Sequence, residues 1–359
     1  MVKSLIKQNE KWVHKNKFIS FSNSDGKQWS IPITNSSTGL AIYEPSGMKG
    51  KLIKKFFPYI KCFLPRISFL KCGKTNILLD DKLVQLLNGL FTENYEFSVF
   101  WGTPSTDQKI TLQIFKGQEI LGYCKISSSE RAAKLFAHEK HVLDFLNSKK
   151  LDNIPQCLFC GKVADEYIFV QSTQKKKKYS AVQKFSILQM DFLNELKEKT
   201  GKKIEFEETD YYCNLKKTEN LLFRLSLEEQ KILKSAISLI YKEFSEKTVN
   251  WGVVCRDFTP WNMCVNQNQL FVFDFEYALY SGPSSNDYWH FQFQSDIYEK
   301  KMSSEQIANS VVGESYIDIL LYLIDIIGLY LERGKDDDLR IVRFEIEIMK
   351  IIIERGVQY

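Results

Sequence analysis

Three polar side chains in the last third of the sequence have the types and spacing to bind a cation and to move a proton. They are the carboxylate Asp257, the amide Asn262 and the carboxylate Asp274. Mg²⁺ prefers oxygen ligands and usually takes only one or two of them from protein. Asn262 and Asp274 meet that demand, which leaves Asp257 to accept the proton of an attacking hydroxyl.

The segment between Asn262 and Asp274 predicts a hairpin that brings these two residues together. Two apolar runs, 263–265 and 270–273, flank the polar turn 266–269. Apolar strands joined by a short polar turn are typical of a β-hairpin, whose two ends return to one edge. We therefore expect Asn262 and Asp274 to share one cation.

The same segment resembles the catalytic signature of the aminoglycoside phosphotransferase and choline kinase-like families, which are small-molecule relatives of the protein kinases. The matching residues are Cys255-Arg-Asp-Phe-Thr-Pro-Trp-Asn262 and Phe273-Asp-Phe-Glu276. Asp-Phe-Glu in place of Asp-Phe-Gly, and Phe-Thr-Pro-Trp within the loop, favour the small-molecule branch. Cys255 departs from the family, which usually has histidine there, but that position supports the loop and does no chemistry. The resemblance is strong over 250–292, moderate over 95–175 and absent over 1–90.

The resemblance implies a bilobal, protein kinase-like α+β fold, with ATP and Mg²⁺ as cofactors. Residues 91–173 would form an N-lobe built on an antiparallel sheet, and residues 174–359 a mainly helical C-lobe with the catalytic loop and metal site. Residues 1–90 would be an N-terminal extension.

Strand and helix patterns upstream agree with an N-lobe. Three predicted strands at 97–102, 109–115 and 120–126 precede a helix that opens near residue 127. Lys125 on the third strand and Glu139 on the helix would then grip the α- and β-phosphates of a nucleotide. An ordinary strand-edge lysine is the alternative for Lys125. Glu130 is a rival to Glu139, but an acid at a helix start also simply complements the helix dipole.

The predicted nucleotide site continues at the end of the N-lobe. Residues 166–170 are expected to form its last strand, followed by a hinge from Gln171 to Thr173 whose backbone would bind the purine. Gly102-Thr-Pro-Ser-Thr-Asp107 stands where a glycine-rich phosphate loop would be, so phosphate contacts there stay open. The four lysines 175–178 are either a solvated linker or a feature that attracts an anionic substrate.

Helices are predicted for most of the C-lobe, at 181–199, 226–246, 304–333 and 336–355. The acidic stretch 205–210 is either a solvated loop or part of an acceptor pocket.

Three further residues belong to the predicted catalytic region. Positions similar to Asp287 and His290 in the family hold an aspartate that fixes the catalytic loop and a histidine that packs nearby. Arg256 could face either the phosphate or a structural acid.

The N-terminal extension has two predicted parts. Segments 28–33 and 38–43 are expected to form a hairpin, and residues 45–79 to contain a basic, aromatic helix. The latter segment has eight basic side chains, five aromatic ones and no acid. Such a surface can lie on an anionic bilayer, so contact with a membrane or a lipid-linked glycan is one hypothesis. An amphipathic helix packed beneath the N-lobe is the alternative.

Length and composition limit the class of protein. The 359 residues are enough for two lobes, and the 44% hydrophobic content can fill their cores. The net charge of +5 is too small to indicate nucleic-acid binding. No apolar run reaches the roughly eighteen residues of a membrane span, so we expect a soluble chain.

The cysteines indicate the cellular compartment in which the protein is expected. The eight cysteines lack disulfide-framework spacing, and no secretory signal precedes them, so we expect a reducing, cytoplasmic location. Cys157 and Cys160 form the one tight pair, and two structural thiols at the end of a strand are favoured over a zinc site.

The leading hypothesis is an ATP-dependent phosphotransferase that acts on a hydroxyl of a small molecule, such as a sugar, a glycan precursor or an amino alcohol. A catalytically silent kinase-fold module that binds a nucleotide or a partner is the second hypothesis. A protein kinase is the third, but neither Asp-Phe-Gly nor an activation loop ending in Ala-Pro-Glu is present.

Overall fold

Short apolar strands dominate the first half of the chain and longer amphipathic helices the second half. A computed structural model describes residues 5–9, 17–23, 26–45, 48–60, 72–103, 105 and 107–356. The strands are β1 (Ile6–Asn9), β2 (Lys17–Ser22), β3 (Gln28–Pro32), β4 (Cys72–Leu79), β5 (Glu96–Phe100), β6 (Ile110–Lys116), β7 (Glu119–Ser127), β8 (Cys157–Val163), β9 (Glu166–Ser172), β10 (Ser180–Ala181), β11 (Lys202–Glu205), β12 (Thr248–Val254), β13 (Met263–Asn266), β14 (Gln269–Val272) and β15 (Leu279–Gly282).

The helices are α1 (Ser36–Gly39), α2 (Met48–Ile60), α3 (Asp81–Phe91), α4 (Glu130–Ser148), α5 (Ile187–Thr200), α6 (Asp210–Leu221), α7 (Leu227–Phe244), α8 (Asn286–Gln294), α9 (Ser304–Ser310), α10 (Tyr316–Arg333) and α11 (Asp336–Gly356). The chain also forms a 3₁₀ turn at Pro260–Asn262 and a π-helical turn at Ser295–Glu299.

The chain divides into two units. The first runs through Ser148 and takes in Asp152–Ser180 and Cys264–Glu276. The second consists of Lys149–Leu151, Ala181–Met263 and the chain from Tyr277 onwards. The predicted metal-binding hairpin, β13 and β14, therefore lies almost entirely in the first unit, although the predicted C-lobe included it.

The first unit is built on one large sheet. In the described residues its strand order is β1-β4-β2-β3-β5-β6-β7-β9-β8, and the paired strands run antiparallel. Because side chains alternate between the two faces of a strand, one face buries a core that includes Leu112, Ile126 and Ile168. The register places Lys125 opposite Thr111 on one side and Phe169 on the other. The predicted strands β5, β6 and β7 and the helix after them are present.

The predicted N-terminal hairpin is wrong. Residues 28–32 form β3, but residues 38–43 are mainly helical, in α1 and the 3₁₀ turn Leu40–Ile42. Strand β3 instead pairs with β2 and β5, which occupy both of its edges. Gly39 allows the helical turn to approach β5 closely, since a β-carbon there would lie 2.6 Å from Ser98 Oγ. The first strands thus extend the same sheet.

The basic segment 45–79 forms helix α2 and then, after residues 61–71, which lie outside the described part, strand β4. Phe57 is buried and its ring lies 5.7 Å from that of Phe21, within an aromatic core. Leu52, Phe56 and Tyr59 on the same helix are exposed. The packed face agrees with the amphipathic alternative, and membrane contact stays a prediction.

The second unit is organised around α10. Its residues from Ile319 to Leu331 are all buried, as expected for a helix at the centre of a core. Tyr211 on α6 donates a hydrogen bond to the carbonyl of Leu321 at 3.0 Å. Strands β11, β12 and β15 form a small antiparallel sheet beside this core. Within the described residues, no helix combines the length and apolarity needed to cross a membrane.

Two predicted helices differ from the observed ones. The helix predicted at 304–333 is two helices, α9 and α10, because the chain between them contains Gly313 at φ +91°. The helix predicted to begin at 181 begins at Ile187, where Ser186 and Gln189 form a capping box. Cys157 and Cys160 lie on β8, a strand whose extent was not predicted, and are half-buried.

Candidate active site

The predicted catalytic loop, residues 255–262, follows β12 in the second unit and has a strained backbone. Arg256 has φ +60°, which is unfavourable for a side chain other than glycine. The Asp287 carboxylate accepts hydrogen bonds from the backbone nitrogens of Cys255, at 2.7 Å, and of Arg256, at 2.9 Å. All three residues are buried. The two hydrogen bonds therefore stabilise the turn. Fixing this loop is the role that was predicted for Asp287.

The side chain of Arg256 binds a structural acid. Its Nε donates to Asp325 Oδ2 at 3.0 Å, and its Nη2 donates to the backbone carbonyl of Asp325 at 3.0 Å. Asn286 donates a longer bond of 3.3 Å to the same carboxylate oxygen. Since Asp325 lies in the middle of α10, this pair ties the loop to the central helix of the unit.

Asp257 and Asn262 are held within the same loop. The Asn262 side-chain amide donates to the backbone carbonyl of Asp257 at 3.1 Å, and its oxygen takes no part in that bond. The Asp257 carboxylate is 30% exposed and lies 3.6 Å from Nε2 of the buried His290. The loop thus presents one carboxylate and one amide oxygen, which are the atom types predicted for a proton acceptor and a cation ligand.

The charged cluster of the first unit centres on Lys125. Its Nζ lies 2.8 Å and 3.1 Å from the two carboxylate oxygens of Glu139 and 3.0 Å from Asp274 Oδ1. Strand β7, helix α4 and the residues after β14 bring the three side chains together. That Lys125 and Glu139 grip a nucleotide stays a prediction.

Burial and pairing set the charges in this cluster. Burial would raise the pKa of Asp274, but Lys125 and Lys109 outweigh it and hold that pKa below its usual value. Burial would lower the pKa of Lys125, but Asp274 and Glu139 outweigh it and raise that pKa. Burial raises the pKa of Glu139 to about 7, although Lys125 opposes the shift. Asp274 is therefore ionised and suited to bind a cation.

Glu276 and Lys109 also belong to the cluster, and the sequence did not assign them a role. Lys109 pairs with the Glu276 carboxylate. Carboxylate oxygens of Glu139, Asp274 and Glu276 lie within 4.8 Å of one another, a grouping that fits a divalent cation. The available signal was the position of Glu276 at the end of the Asp-Phe-Glu motif.

Two other assignments can be compared with the structure. The rival acid Glu130, at the start of α4, accepts a hydrogen bond from the Tyr167 hydroxyl. Glu139, in contrast, pairs with Lys125. Gln171 lies inside β9 and is paired with Tyr123 on one side and Cys157 on the other. The strand continues through Ser172, so the hinge begins later than predicted, and the nucleotide-binding role of Gln171 stays a prediction.

The four-lysine run is not simply a solvated linker. Lys175 is buried and pairs with Glu44, and its Nζ lies 4.3 Å from the centre of the Tyr179 ring. Together with Lys116, the run lines a cavity of about 970 Å³ in the first unit. Attraction of an anionic substrate by these lysines stays a prediction.

The structure therefore gathers the predicted residues into two groups. Lys125, Glu139 and Asp274 contact one another in the first unit, and Asp257 and Asn262 contact each other in the second. A cation shared by Asn262 and Asp274 stays a prediction.

Comparison with known proteins gives structural matches. No protein-family model matches the sequence, and no curated protein matches it. A thermostable mutant of aminoglycoside phosphotransferase APH(4)-Ia, in complex with ADP and hygromycin B, is 11% identical with a TM-score of 0.51. The match covers 76% of this chain and 98% of that chain.

Two other solved structures match over similar lengths. A second APH(4)-Ia mutant, with AMP-PNP and hygromycin B, is 12% identical over 77% of this chain and 99% of that chain, with a TM-score of 0.51. The streptomycin–ATP complex of APH(2″)-IIa is 16% identical over 77% of this chain and 99% of that chain, with a TM-score of 0.48.

Identities this low bear on the fold alone. The APH(4)-Ia matches span nearly the whole of that enzyme, and the antiparallel sheet and the helical unit are both present here. The predicted α+β fold class is confirmed: the chain has the protein kinase-like fold of the aminoglycoside phosphotransferases.

Proposed function

We propose that the protein is an ATP-dependent phosphotransferase that moves the γ-phosphate to a hydroxyl of a small molecule. The observation that carries the proposal is the contact of Lys125 with both Glu139 and Asp274. A lysine held by a helix acid, beside the aspartate of an Asp-Phe-Glu motif, is the arrangement that kinases use to position phosphates. The match to APH(4)-Ia in complex with ADP or AMP-PNP supports a nucleotide substrate.

In this proposal the first unit neutralises and positions the phosphates. Lys125 donates to the α- and β-phosphate oxygens, and Glu139 keeps the ammonium in place. Asp274 and the amide oxygen of Asn262 would hold Mg²⁺, which would supply positive charge to the phosphates. Glu276 adds a third carboxylate to the cluster, and Lys109 partly neutralises it.

The second unit positions the acceptor hydroxyl. Its oxygen forms a bond to the γ-phosphorus while the bond from that phosphorus to the β-phosphate oxygen breaks, and ADP leaves. The hydroxyl proton passes to the Asp257 carboxylate. His290, 3.6 Å away, restricts where that carboxylate can lie. Most of the rate enhancement in such a reaction comes from positioning and charge stabilisation.

The acceptor class is a small molecule with a hydroxyl group, such as a sugar, a glycan precursor or an amino alcohol. Asp-Phe-Glu in place of Asp-Phe-Gly and the Phe-Thr-Pro-Trp loop both favour a small-molecule acceptor over a protein. The hygromycin B that accompanies the nucleotide in the APH(4)-Ia complexes supports the same class.

The test is phosphate transfer by the purified protein. Mg·ATP labelled at the γ-phosphate is incubated with a panel of sugars, aminoglycosides and amino alcohols, and labelled products are separated by chromatography. We expect transfer to at least one compound, with loss of transfer when EDTA removes the metal. Binding of Mg·ATP, seen as a thermal shift, without any turnover would instead favour a silent module. Label on the protein itself would favour a protein kinase.

A further inference from the structure

The catalytic loop contains one aromatic side chain that is buried and one that is not. Phe258 is fully buried and stacks on Phe192, with ring centroids 5.8 Å apart. Trp261, three residues later, is 40% exposed. Aromatic side chains carry 150–250 Å² of surface each, about 4–6 kcal/mol of transfer free energy when fully buried, so an exposed one in a catalytic loop calls for an explanation.

A second exposed aromatic ring lies against Trp261. Tyr298 is 46% exposed, and its ring centroid lies 6.0 Å from that of Trp261 at an interplanar angle of 87°. The two rings therefore meet edge to face and form an open corner. We call this pair, Trp261 and Tyr298, the aromatic corner.

A local distortion of the helix supplies Tyr298. It belongs to the π-helical turn Ser295–Glu299, which directly follows α8, the helix that carries Asp287 and His290. Turns of this kind are rare and occur frequently at functional sites. The same element that supports the catalytic loop therefore also places the second ring of the corner.

The aromatic corner lies close to the proposed proton acceptor. Trp261 lies between Asp257 and Asn262 in the sequence, within the same loop. Tyr298 is near enough for the Asp257 charge to act on it: burial, Glu345 and Asp257 are among the causes that raise the pKa of Tyr298 to about 12. The corner and the Asp257 carboxylate therefore lie near each other in the second unit.

We infer that the aromatic corner binds the acceptor by stacking on the apolar face of a saturated ring, beside the hydroxyl that receives the phosphate. This inference rests on the proposed function and narrows it: the acceptor is a ring-shaped polyol of the pyranoside class and not an open-chain amino alcohol. Trp261 and Tyr298 are acceptor-binding residues that determine specificity, because they select a flat, apolar face next to a hydroxyl.

Apart from Asp257, the carboxylates near the corner offer little charge to an ammonium acceptor, because burial raises the pKa of Glu345 and so disfavours its charged form, and two others are already paired with cations. Asp296, on the same turn as Tyr298, pairs with Lys300 at 2.5 Å. Asp338 pairs with Arg333 at 3.1 Å, and the Arg333 guanidinium lies 5.2 Å from the centre of the Tyr330 ring. An ammonium acceptor gains most where carboxylates and ring faces are not already matched with cations. Dispersion and apolar contact with a ring face need no such charge.

The experiment measures binding directly, so that it does not depend on phosphate transfer. The full chain with Mg·AMP-PNP is titrated with methyl pyranosides of several sugars, hygromycin B, streptomycin and choline, and binding is followed by calorimetry and ligand-observed NMR. We expect ring compounds to bind and choline to bind more weakly or not at all. Ring C–H protons, more than the rest of the ligand, should show saturation transfer from the aromatic residues.

Variants then test the two side chains. Trp261→Ala and Tyr298→Ala are each expected to weaken binding of the best ring compound by roughly 10- to 100-fold, the range for losing a well-packed aromatic contact. Trp261→Phe, which keeps a ring, should recover part of that loss. The matched control is Phe223→Ala, which removes a 76% exposed aromatic side chain elsewhere in the second unit. It should leave binding unchanged.

The outcomes are distinct. Loss of binding in both corner variants but not in the control supports the inference. Unchanged binding in Trp261→Ala and Tyr298→Ala, a preference for choline over every ring compound, or no ring compound bound at all would overturn it. Phosphate transfer by the wild-type protein is measured in parallel, and its absence would count against the proposed function alone.

Discussion

The two groups of site residues differ in how they hold charge. In the first unit, Lys125 contacts Glu139 and Asp274 directly, and three carboxylates crowd within 4.8 Å. In the second unit, buried contacts hold the backbone of the catalytic loop, while the Asp257 carboxylate is 30% exposed. The first arrangement suits the binding of a polyanion with its cation. The second suits the fixing of one group in one place.

The largest expected effect breaks the first arrangement. Asp274→Asn keeps the shape of the side chain but removes the charge that is proposed to bind Mg²⁺. We expect phosphate transfer to fall roughly 10³- to 10⁴-fold, since metal ions contribute several kcal/mol of charge stabilisation in such reactions. Steady-state kinetics with saturating Mg·ATP measures the effect.

Asp165→Asn is the control for that variant, because Asp165 is an exposed aspartate between β8 and β9 of the same unit. Near-full activity of Asp274→Asn would show that the metal assignment is wrong.

Removal of the proposed proton acceptor tests the second arrangement. Asp257→Asn should lower kcat by about 10²- to 10³-fold, within the range for general base catalysis. Binding of Mg·AMP-PNP should persist, because the Lys125 cluster is unchanged. The exposed Asp191→Asn on α5 is the matched control. Equal losses of nucleotide binding and kcat would contradict the proposal that the first group binds the nucleotide and that Asp257 accepts the proton.

Disruption of the loop anchor should reduce stability as well as activity. Arg256→Met leaves the buried Asp325 carboxylate without its ion-pair partner, at a cost of about 3 kcal/mol in the free energy of unfolding. The double variant Arg256→Met/Asp325→Leu should recover much of that loss, since both charges are then gone. Urea unfolding followed by tryptophan fluorescence reports both values.

Arg340→Met, on the exposed face of α11, provides the baseline for an arginine replacement. If the double variant is no more stable than Arg256→Met, the loss does not come from the unpaired Asp325.

The smallest effect concerns Glu345, a buried acid that, unlike Glu139, has no partner among the described residues. Both carboxylate oxygens of Glu345 are buried without a hydrogen-bond partner in the described part of the chain, and burial raises its pKa well above 4.5. A carboxyl group with a raised pKa in the folded state favours folding while protonated, so its contribution is lost as the pH rises above 4.5.

Glu345→Gln should therefore stabilise the protein by about 1–2 kcal/mol near pH 8 and by less near pH 5. Glu347→Gln, an exposed change on the same helix, should show no such pH dependence. Urea titrations at the two pH values measure the difference. A gain that is the same at both pH values would contradict the account.

Much of the fold was predictable because it depends on local patterns. Alternating apolar residues predicted β5, β6 and β7, and the capping box at Ser226 and Glu229 predicted α7. The predicted N-terminal hairpin failed because distant contacts decided the outcome. Residues 38–43 have strand-like composition, yet β2 and β5 already occupy both edges of β3.

The sequence by itself determined which chemical groups the candidate site offers, because the residue types and spacing of Asp257, Asn262 and Asp274 depend on nothing else. Only the tertiary structure decided the partners. Arg256 could have faced a phosphate, but it binds Asp325, 69 positions away. Lys109 pairs with Glu276 across 167 positions. An ion pair between residues so far apart in the chain forms only when the whole fold brings their side chains together, so no local pattern can specify it.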